Sequence, residues 1–408
     1  MSLLKINRER LKKSILEMAK TAEGTGDGKR SRLALTEEDR KGRELFVKWL
    51  EEAGLEVRID GIGNIWGIRP GKDTSAYPVM AGSHLDTVAD GGIFDGVLGV
   101  LGALEVIRTL NDMRIHTDKP VAVVSFTNEE GARFQPDMMG SMVASGTLDV
   151  KEAWEASDDD NVTVGSALES IGFVGSDILK ASAYLELHVE QGPLLDREGV
   201  KAGVVEGIQG IAWWRGKYTG EANHAGTTPM VYRKDTFVAV ADLCCRIRKL
   251  ADDLGNNTRT TMGRVHTVPD IVNVIPGETD FTIDFRQYDE DLFGKGKRRV
   301  ENLVEKTAQR HGVSFELKQM VNARPVRFLP SMVDLVERAV QEWGYTNIRL
   351  SSGAGHDAQF MHRMCPSGMI FVPSVGGRSH CSEEWTEWED AAGGVDILLQ
   401  CILELAGS

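Results

Sequence analysis

Apolar positions at helical spacing (Leu11, Ile15, Met18, Ala19) predict a first helix over 7–20. Thr36 with Asp39 gives a capping-box-like start to a second helix that reaches Ala53, where Gly54 ends it. Short strands follow at 56–59 and 64–68. A third apolar run, 77–81, leads straight into a glycine-rich loop, and 97–110 reads as a buried helix. The run 120–127 is apolar and β-rich without alternation, the pattern of a strand buried on both faces. The stretch 148–182 is acidic and reads as helical. In 183–192, Leu185, Leu187 and Val189 alternate with Glu186, His188 and Glu190, which gives a strand with one polar face; an exposed edge strand has the same pattern.

After Gly203 the texture changes. The periodicities predict strand 211–219, helix 232–253, strands 260–267 and 279–286, helix 290–311 and strand 313–320. This β-α-β-β-α-β order is the ferredoxin-like split unit, inserted into the rest of the chain. In its first helix Phe237, Val240, Ala241, Cys244, Ile247, Ala251 and Leu254 form a stripe that assigns the cysteines to the core. The segments 203–210 and 322–325 read as hinges. An α/β texture then resumes: helix 331–343, strand 348–350, a helix opened by His356-Asp357, strand 368–373 and a last helix from Trp388 onward. The expected division is a discontinuous α/β domain, 1–207 and 325–408, interrupted by an insert, 208–324. A chain of 408 residues is long enough for two cores.

Charge and cysteine content narrow the partners. A net charge of -14 argues against nucleic acid and anionic membranes. Five cysteines, two of them adjacent, form neither a disulfide framework nor a zinc-finger spacing, which points to a reducing compartment. The first residues lack the apolar core of a signal peptide, and no run is long enough to span a bilayer. A cytoplasmic protein is expected.

The chemistry concentrates at strand ends. The loop 82–96 holds His84, Asp86 and Asp95 among glycines, and Asp86, two residues from His84, can hydrogen-bond the imidazole nitrogen that a metal does not use. The series Gly96-x-x-Gly99-x-x-Gly102 has the wrong spacing for a dinucleotide fingerprint and follows a loop full of carboxylates. Glu129 and Glu130 end the strand 120–127, His188 lies near the end of another, and His380 follows a fourth. Taken singly, these are a decorated turn, a solvated helix start and an edge strand. In open α/β sheets, however, ligands bind outside the carboxyl ends of strands. Three imidazoles and several carboxylates gathered there suit a two-metal centre bridged by an aspartate.

The stretches GSHLDT, GGIFDGVLGVLG, FTNEEGARF, ELHVEQGP, ANHAGTTPM, NVIPG, FTIDFR, SGAGHDA and GGRSH occur in this order. With them the chain resembles, over nearly its full length, the hydantoinase/carbamoylase amidases of the aminoacylase/carboxypeptidase-like zinc-hydrolase superfamily. The resemblance implies a mixed-sheet α/β catalytic domain of zinc-exopeptidase type carrying a ferredoxin-like dimerisation domain. It implies two divalent ions, Zn2+ or Mn2+ with Co2+ or Ni2+ as further options: His84 and His188 on one, Glu130 and His380 on the other, Asp95 bridging. It also implies Glu129 as general base and Asp86 as the orienter of His84. His224 is the candidate oxyanion donor, which by the same resemblance reaches the other subunit's site, and Arg286 with Asn273 resembles the family's carboxylate-binding pair. Gln191, Gln209 and His356 are further candidates for contacts to the ureido group or the substrate carboxylate. The implied activity is hydrolysis of N-carbamoyl-L-amino acids, with allantoate amidohydrolase or β-ureidopropionase as alternatives. An aminoacylase or dipeptidase, or a metal-dependent binder without catalysis, stands further off. The implied partners are a small carboxylate-bearing ureido substrate and a second copy of the chain.

Overall fold

The computed structural model describes residues 3–22 and 30–407. Two compact units divide the chain, one running to Gly207 and resuming at Arg327, the other formed by Ile208–Val326.

The first unit is built on a nine-stranded mixed sheet. At its heart Val121–Phe126, Val79–His84, Ala183–Val189 and Ser367–Val372 lie side by side, all parallel. Ile65–Arg69 and Glu56–Ile59 extend it antiparallel on one side, and Ala202–Ile208 on the other. Every residue of the four central strands is buried, which is why 120–127 shows no alternation. The helices Val97–Asp112 and Trp388–Ala406, largely buried, pack on this sheet. Parallel strands need crossover connections, so their carboxyl ends open on one rim of the sheet.

The polar face of Ala183–Val189 does not make it an edge strand. Glu186 is buried there because it accepts from Ser83 Oγ (2.7 Å), the Tyr184 hydroxyl (3.3 Å) and the Ala358 N–H (2.8 Å). One other expectation also gives way. Within 148–182 only Val150–Glu155 and Val164–Ile171 are helical, the rest including turns where Asp158 accepts from the Asp160 and Val162 N–H groups. The stretch 203–210 is not loop throughout: the strand Ala202–Ile208 occupies most of it, pairing through Gly203, Val204 and Val205 with the Ser367–Val372 strand, and the division between the two units falls within it, after Gly207.

The main sheet of the second unit has five antiparallel strands, and a two-stranded ribbon, Asn223–His224 with Val274–Ile275, lies apart from it. The order of the main sheet is Val265–Val268, Glu278–Gln287, Gly210–Thr219, Ser314–Ala323, with Arg259–Thr261 also on Glu278–Gln287. Helices Thr236–Leu254 and Glu290–His311 complete the ferredoxin-like arrangement. Trp214, Phe281, Phe285, Leu243, Ile247, Val300 and Val304 form the core between sheet and helices. The first helix buries Thr236, Ala239, Val240, Leu243, Ile247 and Leu250, so its inward face is turned from the expected stripe, and Cys244 and Cys245 are exposed rather than core. That helix carries apolar residues on two faces, and periodicity alone does not say which one meets the sheet. All five cysteines are free thiols. Among the described residues no helix is long and apolar enough to cross a membrane.

Candidate metal centre

His84 closes one central strand, and Gly96 lets the following loop fold back over it. With φ at +65°, Gly96 approaches so near that a Cβ would lie 2.5 Å from the His84 ring. His84 Nδ1 is 2.8 Å from the main-chain oxygen of Asp86, and His188 Nδ1 is 2.9 Å from that of Val189. Each Nδ1 therefore donates to that oxygen, which leaves Nε2 as the ring atom able to meet a metal ion. Those nitrogens face Asp95. Oδ1 of Asp95 is 3.1 Å from His188 Nε2 and 3.9 Å from His84 Nε2, while Oδ2 is 3.2 Å from His380 Nε2. Glu130 Oε2 stands 3.4 Å from the same His380 nitrogen. The result is two triads, His84–Asp95–His188 and Asp95–Glu130–His380, sharing one carboxylate with an oxygen for each.

This donor set fits divalent cations. His188 Nε2 and Glu130 Oε1 are buried without a hydrogen-bond partner, which is costly unless a cation meets them. Burial, then the charges of Asp95 and Asp86, push the Glu130 carboxyl well above its usual range. Burial and neighbouring Glu130 do the same to Glu129. Burial would lower His188, yet the Asp95 carboxylate, 3.1 Å from Nε2, lifts it to about 9, so the aspartate draws positive charge onto that nitrogen. A cluster with this many carboxylates calls for more positive charge than its imidazoles supply. Nitrogen and carboxylate oxygen together suit Zn2+ or Mn2+ without choosing between them. Glu129 belongs to neither triad; its Oε2 is 3.3 Å from His84 Nε2.

Asp86 differs from expectation. Its main-chain carbonyl, not its carboxylate, holds His84; the carboxylate sits 3.9 Å from Nδ1. That carboxylate instead accepts from the N–H groups of Glu129 (3.3 Å) and Glu130 (3.2 Å), fixing the turn that presents both glutamates. Burial raises it to about 7. Behind it the buried Arg43 pairs with Asp39 (2.8 Å) and donates to Thr127 Oγ1 (3.1 Å), just ahead of the same turn.

Gln191, at φ +57°, directs Nε2 to Asp95 Oδ2 and His380 Nε2, 3.1 Å from each, and so lies inside the cluster. His356 is buried against the His188 ring, centroids 4.5 Å apart, with Nε2 2.8 Å from Ser352 Oγ. It backs a triad histidine rather than opening to a cleft. Glu384, a buried residue that sequence reasoning passed over, accepts from the Asp95 N–H at 3.0 Å. Its only local signal was its place four residues after His380.

The remaining candidates lie in the Ile208–Val326 unit. His224 and Asn273 come together: Asn223–His224 pairs with Val274–Ile275, and the Ala225 N–H donates to the Asn273 carbonyl (3.0 Å). Both side chains are exposed. His224 Nδ1 accepts from Gly226 N–H (3.0 Å) and Thr227 N–H (3.1 Å), which leaves its proton on Nε2. Arg286 is ion-paired to Asp284 (2.9 Å) near the far end of the Glu278–Gln287 strand. Eight residues of strand separate it from Glu278, beside which the Asn273 loop ends, a span of roughly 26 Å. Within one chain Arg286 and Asn273 are therefore not a pair. Gln209 is buried at the start of this unit.

Residues 80–404 match the model of peptidase family M20/M25/M40. The chain is 40% identical to an N-carbamoyl-L-amino-acid amidohydrolase of Rhizobium meliloti, over 98% of this chain and 97% of that one. It is 32% identical to an allantoate amidohydrolase of Bacillus subtilis, over 94% of each. Among solved structures, a hydantoinase/carbamoylase family amidase from Burkholderia multivorans superposes with a TM-score of 0.96 at 38% identity, covering 99% of both chains.

Proposed function

Because this chain belongs to peptidase family M20/M25/M40, and within it to the hydantoinase/carbamoylase amidases, we propose that it hydrolyses N-carbamoyl-L-amino acids. One water is consumed, and the amino acid, carbon dioxide and ammonia are released. The observation that carries this reading is the split of the Asp95 carboxylate between two triads, with Glu129 beside them and outside both.

His84, His188 and one Asp95 oxygen would hold one divalent ion, and Glu130, His380 and the other oxygen a second. Bound ions supply Lewis acidity, polarising the ureido carbonyl and lowering the pKa of water. Glu129 takes the proton of the attacking water and passes it to the departing nitrogen. Its burial next to Glu130 gives it the raised basicity that this exchange needs. Asp86 holds Glu129 and Glu130 in register through their N–H groups. His224, with its proton on Nε2, is suited to donate to the developing oxyanion. Arg286 recognises the substrate carboxylate as a fork.

The test is ammonia release by metal-reconstituted protein from N-carbamoyl-α-amino acids, N-carbamoyl-β-alanine and allantoate in parallel. Turnover is expected to be fastest with an N-carbamoyl-L-α-amino acid; faster turnover of allantoate would transfer the assignment to that relative's reaction. Arg286→Lys is expected to raise KM by about 10- to 100-fold, because an ammonium cannot grip a carboxylate bidentately, with metal content unchanged. An unaltered KM in steady-state kinetics would remove Arg286 from carboxylate recognition.

A homodimer through the inserted unit is part of the same proposal. Met230, Val231, Tyr232, Phe237 and Val238 are exposed, Val231 at 84% and Phe237 at 50%. The strand Val265–Val268 is an edge of its sheet, its described pairing being to Glu278–Gln287. Apolar side chains beside an open strand edge suit a second copy better than water. The separation of Arg286 from Asn273 and His224 supports a site that draws the two groups from different copies. Val238→Glu is expected to yield a monomer in light scattering with activity sharply reduced; a dimer that survives this change uses another surface.

A further inference from the structure

We infer that Glu384 is a positioning residue that latches the Asp95 loop to the His380 loop, so that the two sides of the metal centre are held as one piece. The inference rests on the two-ion reading above. Glu384 Oε1 accepts from the main-chain N–H of Asp95 (3.0 Å) and of Phe94 (3.4 Å). Its Oε2 accepts from Ser379 Oγ at 2.8 Å, and that hydroxyl also lies 3.5 Å from Asp95 Oδ2. One buried carboxylate thus joins segments 289 residues apart, one carrying the bridging aspartate and the other carrying His380.

Glu384 is not itself placed as a ligand. Both oxygens are already engaged, and neither triad includes it. What it governs is orientation. Asp95 can serve two ions only if its oxygens point to opposite sides, and the bond to its own N–H holds the backbone from which that carboxylate springs. His380 is held at φ +55°, an uncommon conformation for a residue with a Cβ, so its loop needs outside support. The neighbouring rings reinforce the latch, since Phe94 packs on Trp385 and Trp388 with centroids 5.4 and 5.0 Å apart. Space has been left for it as well: a Cβ on Gly92 would collide with Glu384 Oε1.

The prediction is read on the metal-free protein, titrated with Zn2+ against a chromogenic chelator. Wild type takes two ions. Glu384→Ala weakens the second ion by about 10- to 100-fold, the usual effect of removing a group that orients a ligand. Gly92→Ala, which displaces the carboxylate without deleting it, gives a loss of the same order. Glu384→Gln stays within about threefold of wild type, because its amide oxygen still accepts from Asp95 and its NH2 can reach Ser379. Affinities equal to wild type in both Glu384→Ala and Gly92→Ala overturn the inference, as does a glutamine variant no better than alanine, which would make charge rather than hydrogen bonding the cause. If Glu384→Ala does not fold, Gly92→Ala and Ser379→Ala carry the test, each expected to weaken the second ion and each refuting the latch if it does not. A wild-type protein that binds fewer than two ions defeats the two-ion reading instead.

Discussion

Glu129→Gln is expected to lower kcat by roughly 10^3-fold while the protein still takes up both ions. Positioned general bases contribute on this order, equivalent to about 4 kcal/mol of barrier. The amide keeps the shape of the side chain but cannot accept a proton from water. Metal uptake should survive because Glu129 stands outside both triads. Steady-state kinetics together with metal analysis of the same preparation decide the matter. Loss of an ion from this variant would mean that Glu129 and Glu130 have exchanged roles. Glu130→Gln is the internal control and should lose the ion shared with His380.

The second large effect belongs to Asp95. Asp95→Ala removes one oxygen from each triad at once, so both ions are expected to be lost and turnover with them. Stability provides an independent reading. A metal at a hundred times its Kd stabilises the folded state by about 2.7 kcal/mol, so wild type should melt at a higher temperature as Zn2+ is added. The alanine variant should show no such dependence. If its melting temperature still climbed with metal as in wild type, ions would be binding without the bridge.

The strand-end residues were legible because each sits where an apolar run stops. Val121–Phe126 can be read from its own composition, and Glu129 and Glu130 follow it after only Thr127 and Asn128. A turn of a few residues is local information. The identity of the atoms that make a contact is not. His84 and Asp86 lie at a spacing that suits a carboxylate–imidazole bond, yet the main-chain carbonyl is nearer and the carboxylate is taken by two N–H groups from another strand end. Glu384 was illegible for a related reason: its significance comes from a partner 289 residues away. The helix Thr236–Leu254 failed differently. Phe237, Val238 and Ala241 add apolar positions to the first turns of its outer face, and only packing against the sheet distinguishes them from the inner ones. The strand Ala202–Ile208 was hidden by Gly203 and Gly207, which lower strand propensity although the sheet accepts them. The pairing of Arg286 with Asn273 likewise depends on where each end of a ten-residue strand lies, which spacing along the chain does not reveal.

Anomalous diffraction from crystals of the metal-loaded protein reads the positions of the ions without recourse to activity. Two peaks are predicted on either side of Asp95, one against His84 and His188, the other against Glu130 and His380. A single peak away from Asp95, or ions bound only elsewhere on the chain, would contradict a binuclear centre and the hydrolase chemistry that depends on it.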